Sequence, residues 1–193
     1  MKKRQFLGGA ALAGALLPST AQAGPRRAPG PALLTVTGAI SKANRGPFDP
    51  VADQMMHKQK LSFSKAYAFD FDSLAALPAR TIQPTLEYDA KRHVLRGPAL
   101  LDVLQAAAAV LNEHSKIVLR AVDGYAAELS VLQARSQGFI IATHLDDKPM
   151  ALGGLGPLWA LYDADRVPEM AAKPLAERYN ACPWALYHIA VQG

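Results

Sequence analysis

The clearest helical period in this chain is short and lies mid-sequence. Gly97-Pro98 precedes Leu100, Leu101, Leu104, Ala107, Ala108 and Leu111, the spacing of one apolar helix face, and Asn112 offers a stop. Elsewhere glycines and prolines, fourteen of each among 193 residues, cut the apolar runs to strand length. Strands are expected over 33–40, 116–122, 126–131, 139–144, 158–162 and 184–191, with extended segments over 61–71 and 80–88 and a return over 150–152. Asp123-Gly124-Tyr125 joins two of them as a hairpin. Short helical turns are expected from Asp49-Pro50 through Met56, over Leu74 and Leu77 behind an Asp72 or Ser73 cap, and over 175–180. Strands outnumber helices and most neighbours can run antiparallel, so the class is α+β or mainly β. At 50% hydrophobic and 19% charged, the chain can build one domain with a core and is neither disordered nor fibrous.

Residues 1–23 read as a secretory signal. Lys2, Lys3 and Arg4 form a basic start, residues 6–17 an apolar run, and Ala21-Gln22-Ala23 a cleavage site. The apolar run is too short to span roughly 30 Å of hydrocarbon, so the expected product is cleaved and does not itself span a membrane. Lys3-Arg4-Gln5-Phe6-Leu7 resembles the twin-arginine export signal with Lys in the first Arg place, and the general secretory route fits equally well. Either route gives a periplasmic or otherwise extracytoplasmic protein. Residues 24–32 are a Pro/Gly/Arg-rich flexible leader, and 33–193 form the domain. The formal charge of +5 falls to +2 once Lys2, Lys3 and Arg4 are removed. No dense basic run survives, and nucleic acid is not an expected partner.

Cys182 is the only cysteine, which excludes a disulfide framework, a CxxC redox pair and a cysteine-built zinc or iron–sulfur site within one chain. The histidines (57, 93, 114, 144 and 188) show neither i,i+4 pairing nor an H-E-x-x-H motif, so no metal site is assigned. No G-x-S-x-G is present and no His is placed by sequence to activate Cys182, so no catalytic residue is assigned. Gly153-Gly154-Leu155-Gly156-Pro157 is not a phosphate-binding loop, because no Lys-Ser/Thr follows, and it leads into a strand rather than a helix. It is either a turn or a loop whose backbone N–H groups approach a ligand. Trp159, just beyond, is either core or a stacking wall for a flat heterocycle. Asp123, first of all a turn residue, could also read the donor edge of a ring such as a 2-aminopyrimidine.

The order of several motifs is more specific than any one of them. Leu34-Thr35-Val36-Thr37-Gly38-Ala39-Ile40 is followed by Phe71-Asp72-Ser73-Leu74 and by the run from Leu95-Arg96-Gly97-Pro98 to Leu101-Asp102-Val103-Leu104. Then come Ala121-Val122-Asp123-Gly124-Tyr125, Asp146-Asp147-Lys148-Pro149, Gly156-Pro157-Leu158-Trp159 and the stretch 184–191. Over residues 33–191 this order resembles the oxidoreductase molybdopterin-binding domain, the sulfite-oxidase fold.

The resemblance implies a compact α+β domain of mixed, mostly antiparallel sheets with a few short helices. In that family a pterin carries dithiolene-bound molybdenum, and a protein Cys before the Gly-Pro/Leu-Leu-Asp-Val-Leu helix ligates the metal. The corresponding stretch here is Thr81-Ile82-Gln83-Pro84-Thr85, without a Cys, and Cys182 stands in the wrong part of the order. Small exported members that lack the Cys imply a metal-free pterin as ligand and a membrane-bound sensor protein as partner. On that reading Trp159 stacks on the ring, Gly154, Gly156 and Pro157 belong to the loop that supplies backbone donors, and Asp123 or Tyr125 reads polar edges. Arg80, Arg96 and Arg120 pair with ring carbonyls or a phosphate tail. The alternatives are a molybdopterin-dependent oxidoreductase with a non-Cys metal environment, and an interaction domain with a degenerate pocket.

Overall fold

A computed structural model describes residues 30–193. The expected signal at 1–23 and leader residues 24–29 lie outside the described residues. In chain order the elements are β1 (Leu34–Gly38), α1 (Gln54–Lys58), β2 (Tyr67–Phe69), α2 (Phe71–Ala75), β3 (Ala79–Ile82) and β4 (Leu95–Pro98). Next come α3 (Leu100–Ala106), β5 (Lys116–Ala121), β6 (Ala126–Ser130), α4 (Val131–Gln137) and β7 (Ile140–Ala142). The chain closes through β8 (His144–Leu145), β9 (Lys148–Pro149), β10 (Trp159–Leu161), α5 (Pro168–Ala171) and β11 (Leu186–Gln192). No helix among the described residues is long and apolar enough to cross a membrane.

The main sheet has the order β2-β1-β11-β5-β6, antiparallel except for the parallel β1–β11 pair. A second antiparallel sheet runs β3-β4-β8-β9, and β7 pairs with β10. This is an α+β architecture. Gly97 lets β4 lie directly on β7: a Cβ there would stand 1.9 Å from the carbonyl oxygen of Ile141. The core lies between the sheets and α3, with Val36, Ile189 and Leu119 in register on one face of the main sheet. The other face is also covered, so β1 is buried on both sides from Leu34 to Thr37. Thr35, His188 and Arg120 stand in one row across that second face, beneath the 41–60 segment. Arg45 of that segment donates to Thr35 Oγ1 at 2.6 Å and pairs with Asp53.

Several elements differ from the sequence expectation for traceable reasons. Helix α3 ends at Ala106 rather than running to Leu111. Ala108 turns left-handed at φ 51°, and Val110 N–H donates to Ala39 O at 2.8 Å, so the segment leaves the helix to pair with the end of β1. The cap of α2 is Asp70, not Asp72 or Ser73, with its carboxylate accepting from Ser73 N–H at 2.8 Å. The return strand is Lys148–Pro149, paired with β8, and of residues 150–152 Met150 continues it with its N–H donating to Thr143 O at 3.2 Å. Residues 175–180 hold only a 3-10 turn, Leu175–Glu177. Helix α4 was not expected, although both its ends carry signals: Ser130 Oγ accepts from Gln133 N–H at 3.0 Å, and Gly138 closes it at φ 69°.

Candidate binding site

Three chain segments meet at one edge of the domain, stitched by backbone hydrogen bonds. Ala185 N–H donates to Leu155 O at 3.1 Å, and Val122 N–H donates to Ala185 O at 3.1 Å. The glycine-rich loop, the Asp-Gly hairpin and the segment holding Trp184 are thereby adjacent. The hairpin turn is closed by Gly124 at φ 94° and by Asp123, whose carboxylate accepts from Tyr125 N–H at 2.8 Å. In the loop, Leu152 and Gly156 form a bridge that folds 152–156 on itself. Gly156 is required by packing, since a Cβ would meet Met150 at 2.5 Å. A fourth segment brings Tyr88. Its turn is tethered by Tyr179 Oη donating to Thr85 O at 2.7 Å and Thr85 N–H donating to Asp165 at 2.8 Å.

Together these segments form an open cleft of about 570 Å³, walled by Tyr88, Trp184, Val122 and the loop from Leu152 to Leu155. A smaller cavity of about 310 Å³ shares Tyr88 and Trp184 and is bounded by Glu87, Asp123, Tyr125 and Tyr179. Tyr88, Tyr125, Leu152 and Trp184 are all exposed large apolar side chains, and they gather here. Burial raises the Tyr88 hydroxyl pKa, helped by the charge of Glu87 and a hydrogen bond to it.

Of the residues singled out in the sequence, Gly154 lines the cleft, and Asp123 and Tyr125 line the smaller cavity. The Gly154 N–H already donates to Ala151 O at 3.2 Å. Trp159 is elsewhere. It lies in β10, 1% exposed, with Nε1 donating to Cys182 O at 2.9 Å, so it offers no open face for a ring to stack on. The rings that do face the cleft are Trp184 and Tyr88. Gly156 and Pro157 lie behind the loop and line neither cavity. Nor do the arginines. Arg80 and Arg96 stand on β3 and β4, one register step apart, and Arg120 lies in register with His188 with its Nε buried and unpartnered. Trp184 and Tyr88 carry little local signal: one follows Cys182-Pro183 and the other sits within a turn, and only the assembled fold sets their exposure.

The residues do not fit a thiolate-held molybdenum. The 81–85 stretch has no thiol, and Cys182 is 4% exposed with burial pushing its thiol pKa far upward, away from the thiolate a metal requires. The Gln83 N–H instead donates to Asp163 at 3.3 Å.

Mixed, mostly antiparallel sheets with a few short helices make this an α+β domain. Among solved structures, the sulfane dehydrogenase SoxCD from Paracoccus pantotrophus is similar to this chain with a TM-score of 0.52 at 11% identity. The likeness covers 82% of this chain and 37% of that one, so the chain spans about a third of the length of the protein it resembles. At that identity the likeness is one of fold. No protein family and no curated protein matched the sequence.

Proposed function

We propose that this chain is a periplasmic pterin-binding protein of the sulfite-oxidase fold that works without molybdenum catalysis and reports its ligand state to a membrane-bound sensor. The observation that carries the reading is the cleft of about 570 Å³, whose aromatic walls and open backbone loop suit a flat bicyclic ring. Trp184 and Tyr88 supply the stacking surfaces, loop 152–155 the close backbone approach, and Asp123 and Glu87 the acceptors for ring N–H groups. The missing thiolate supports a metal-free ligand, and the signal-like residues 1–23 support export.

Native mass spectrometry on protein purified from the periplasm of its own host tests the reading. A mass excess equal to a metal-free pterin is expected. An excess equal to molybdenum plus pyranopterin, or failure of added neopterin to quench tryptophan fluorescence of the bare chain, overturns it.

A further inference from the structure

We propose that the smaller cavity beside the cleft is a binding site for a small organic cation of the quaternary-ammonium class. The cavity measures about 310 Å³, at the small end of ligand pockets. Four aromatic residues line it, Tyr88, Tyr125, Tyr179 and Trp184, together with two carboxylates, Glu87 and Asp123. No Lys, Arg or His lines it. Neither carboxylate is held in an ion pair among the described residues.

The rings are oriented from behind. Tyr179 Oη donates to Thr85 O at 2.7 Å, and its ring packs 6.4 Å from Tyr162 and 6.5 Å from Trp159. Tyr125 Oη donates to Asn180 O. Two of the three tyrosine hydroxyls are committed to backbone carbonyls and the third, that of Tyr88, to Glu87, so the cavity presents π-surfaces and the two carboxylates. That combination attracts a cation through the ring quadrupole and the carboxylate charge together. It suits a quaternary ammonium best. A hard metal ion would need a cage of oxygens. A primary ammonium needs acceptors for three donors, whereas a quaternary ammonium has none to satisfy. The site adjoins the cleft of the pterin reading and shares Tyr88, Trp184, Glu87 and Asp123 with it, but it does not require that a pterin binds.

The test is a calorimetric titration of the chain with choline and, in parallel, with its neutral isostere 3,3-dimethylbutan-1-ol. Choline is expected to saturate with a Kd of about a millimolar or tighter, and the isostere to bind at least about tenfold more weakly. Glu87→Gln with Asp123→Asn keeps the shape of both side chains, and is expected to weaken choline about tenfold while leaving the isostere unchanged. Tyr125→Leu, at an exposed position, is expected to weaken choline as well. Equal binding of choline and the isostere, no saturation by choline, or a double variant with unchanged choline affinity overturns the proposal. Because neopterin binding is measured separately on the same protein, failure of either reading is distinguishable from failure of the other.

Discussion

Trp159 and Trp184 are partners across an isolated antiparallel bridge, yet one ring is 1% exposed and the other 39%. Trp159 continues β10 into the core and is tied to Cys182 O, whereas Trp184 comes just after Pro183 and just before β11, at the lip of the cleft. The two tryptophans of the chain thus divide into a buried packing residue and one exposed at the cleft.

Their variants should separate accordingly. Trp159→Ala removes a fully buried indole and should cost about 3–5 kcal/mol in urea unfolding. Trp184→Ala should cost under about 1 kcal/mol and abolish neopterin quenching. A Trp184→Ala protein that binds neopterin as the native chain does would remove Trp184 from the site.

Two glycines test the packing of the sheets. Gly97→Ala drives a methyl against the Ile141 carbonyl at 1.9 Å, where only backbone movement can relieve the clash. A loss of about 3 kcal/mol is expected from such overpacking. Gly138→Ala meets open space but keeps the left-handed φ of 69°, so about 1 kcal/mol is expected. Denaturant midpoints should rank Gly97→Ala as the more damaging, and the reverse order would contradict the close β4–β7 approach.

His188 should make the fold sensitive to acid. Its imidazole is buried with Nε2 2.8 Å from Thr37 Oγ1, and burial, then the charges of Arg120 and Arg45, lower its pKa to about 4. The unfolded chain takes up that proton near pH 6.5, so it binds more protons than the folded chain between about 6.5 and 4. The contribution of His188 is complete above pH 6.5 and is lost as pH falls to about 4. His188→Gln can keep a hydrogen bond to Thr37 but cannot titrate, so its unfolding free energy should lose that slope. An unchanged slope in the variant would refute a buried neutral imidazole.

His93 should titrate the other way. Its Nδ1 lies 2.7 Å from Asp146 and its Nε2 3.1 Å from Asp89, and these hydrogen bonds raise its pKa. The stabilisation is therefore complete below the ordinary histidine value and is lost as pH rises through the raised one. Histidine NMR shifts should place its midpoint above about 6.5, and Asp146→Asn should lower that midpoint. A midpoint at or below the ordinary value would show that the bridge between the 86–92 turn and the β8–β9 hairpin does not form in solution.

Much of this architecture is legible along the chain because the responsible forces are local. The Asp123-Gly124 turn needs only its own backbone and the alternating residues on either side, and the order of motifs from Leu34 to Trp184 carries the α+β class. The ends of α4, Ser130 and Gly138, are equally local signals. What assembly decided is exposure and long-range pairing. Ala108 and Ala109 have the composition of a helix, and leave it because Ile40 and Ala39 present a bridge partner from about 70 residues away. Trp159 and Trp184 are chemically the same side chain. Which one packs and which one lines the cleft depends on where β7, β10 and the Leu155–Ala185 hydrogen bond place their backbones, since burial is a property of the neighbours rather than of the residue.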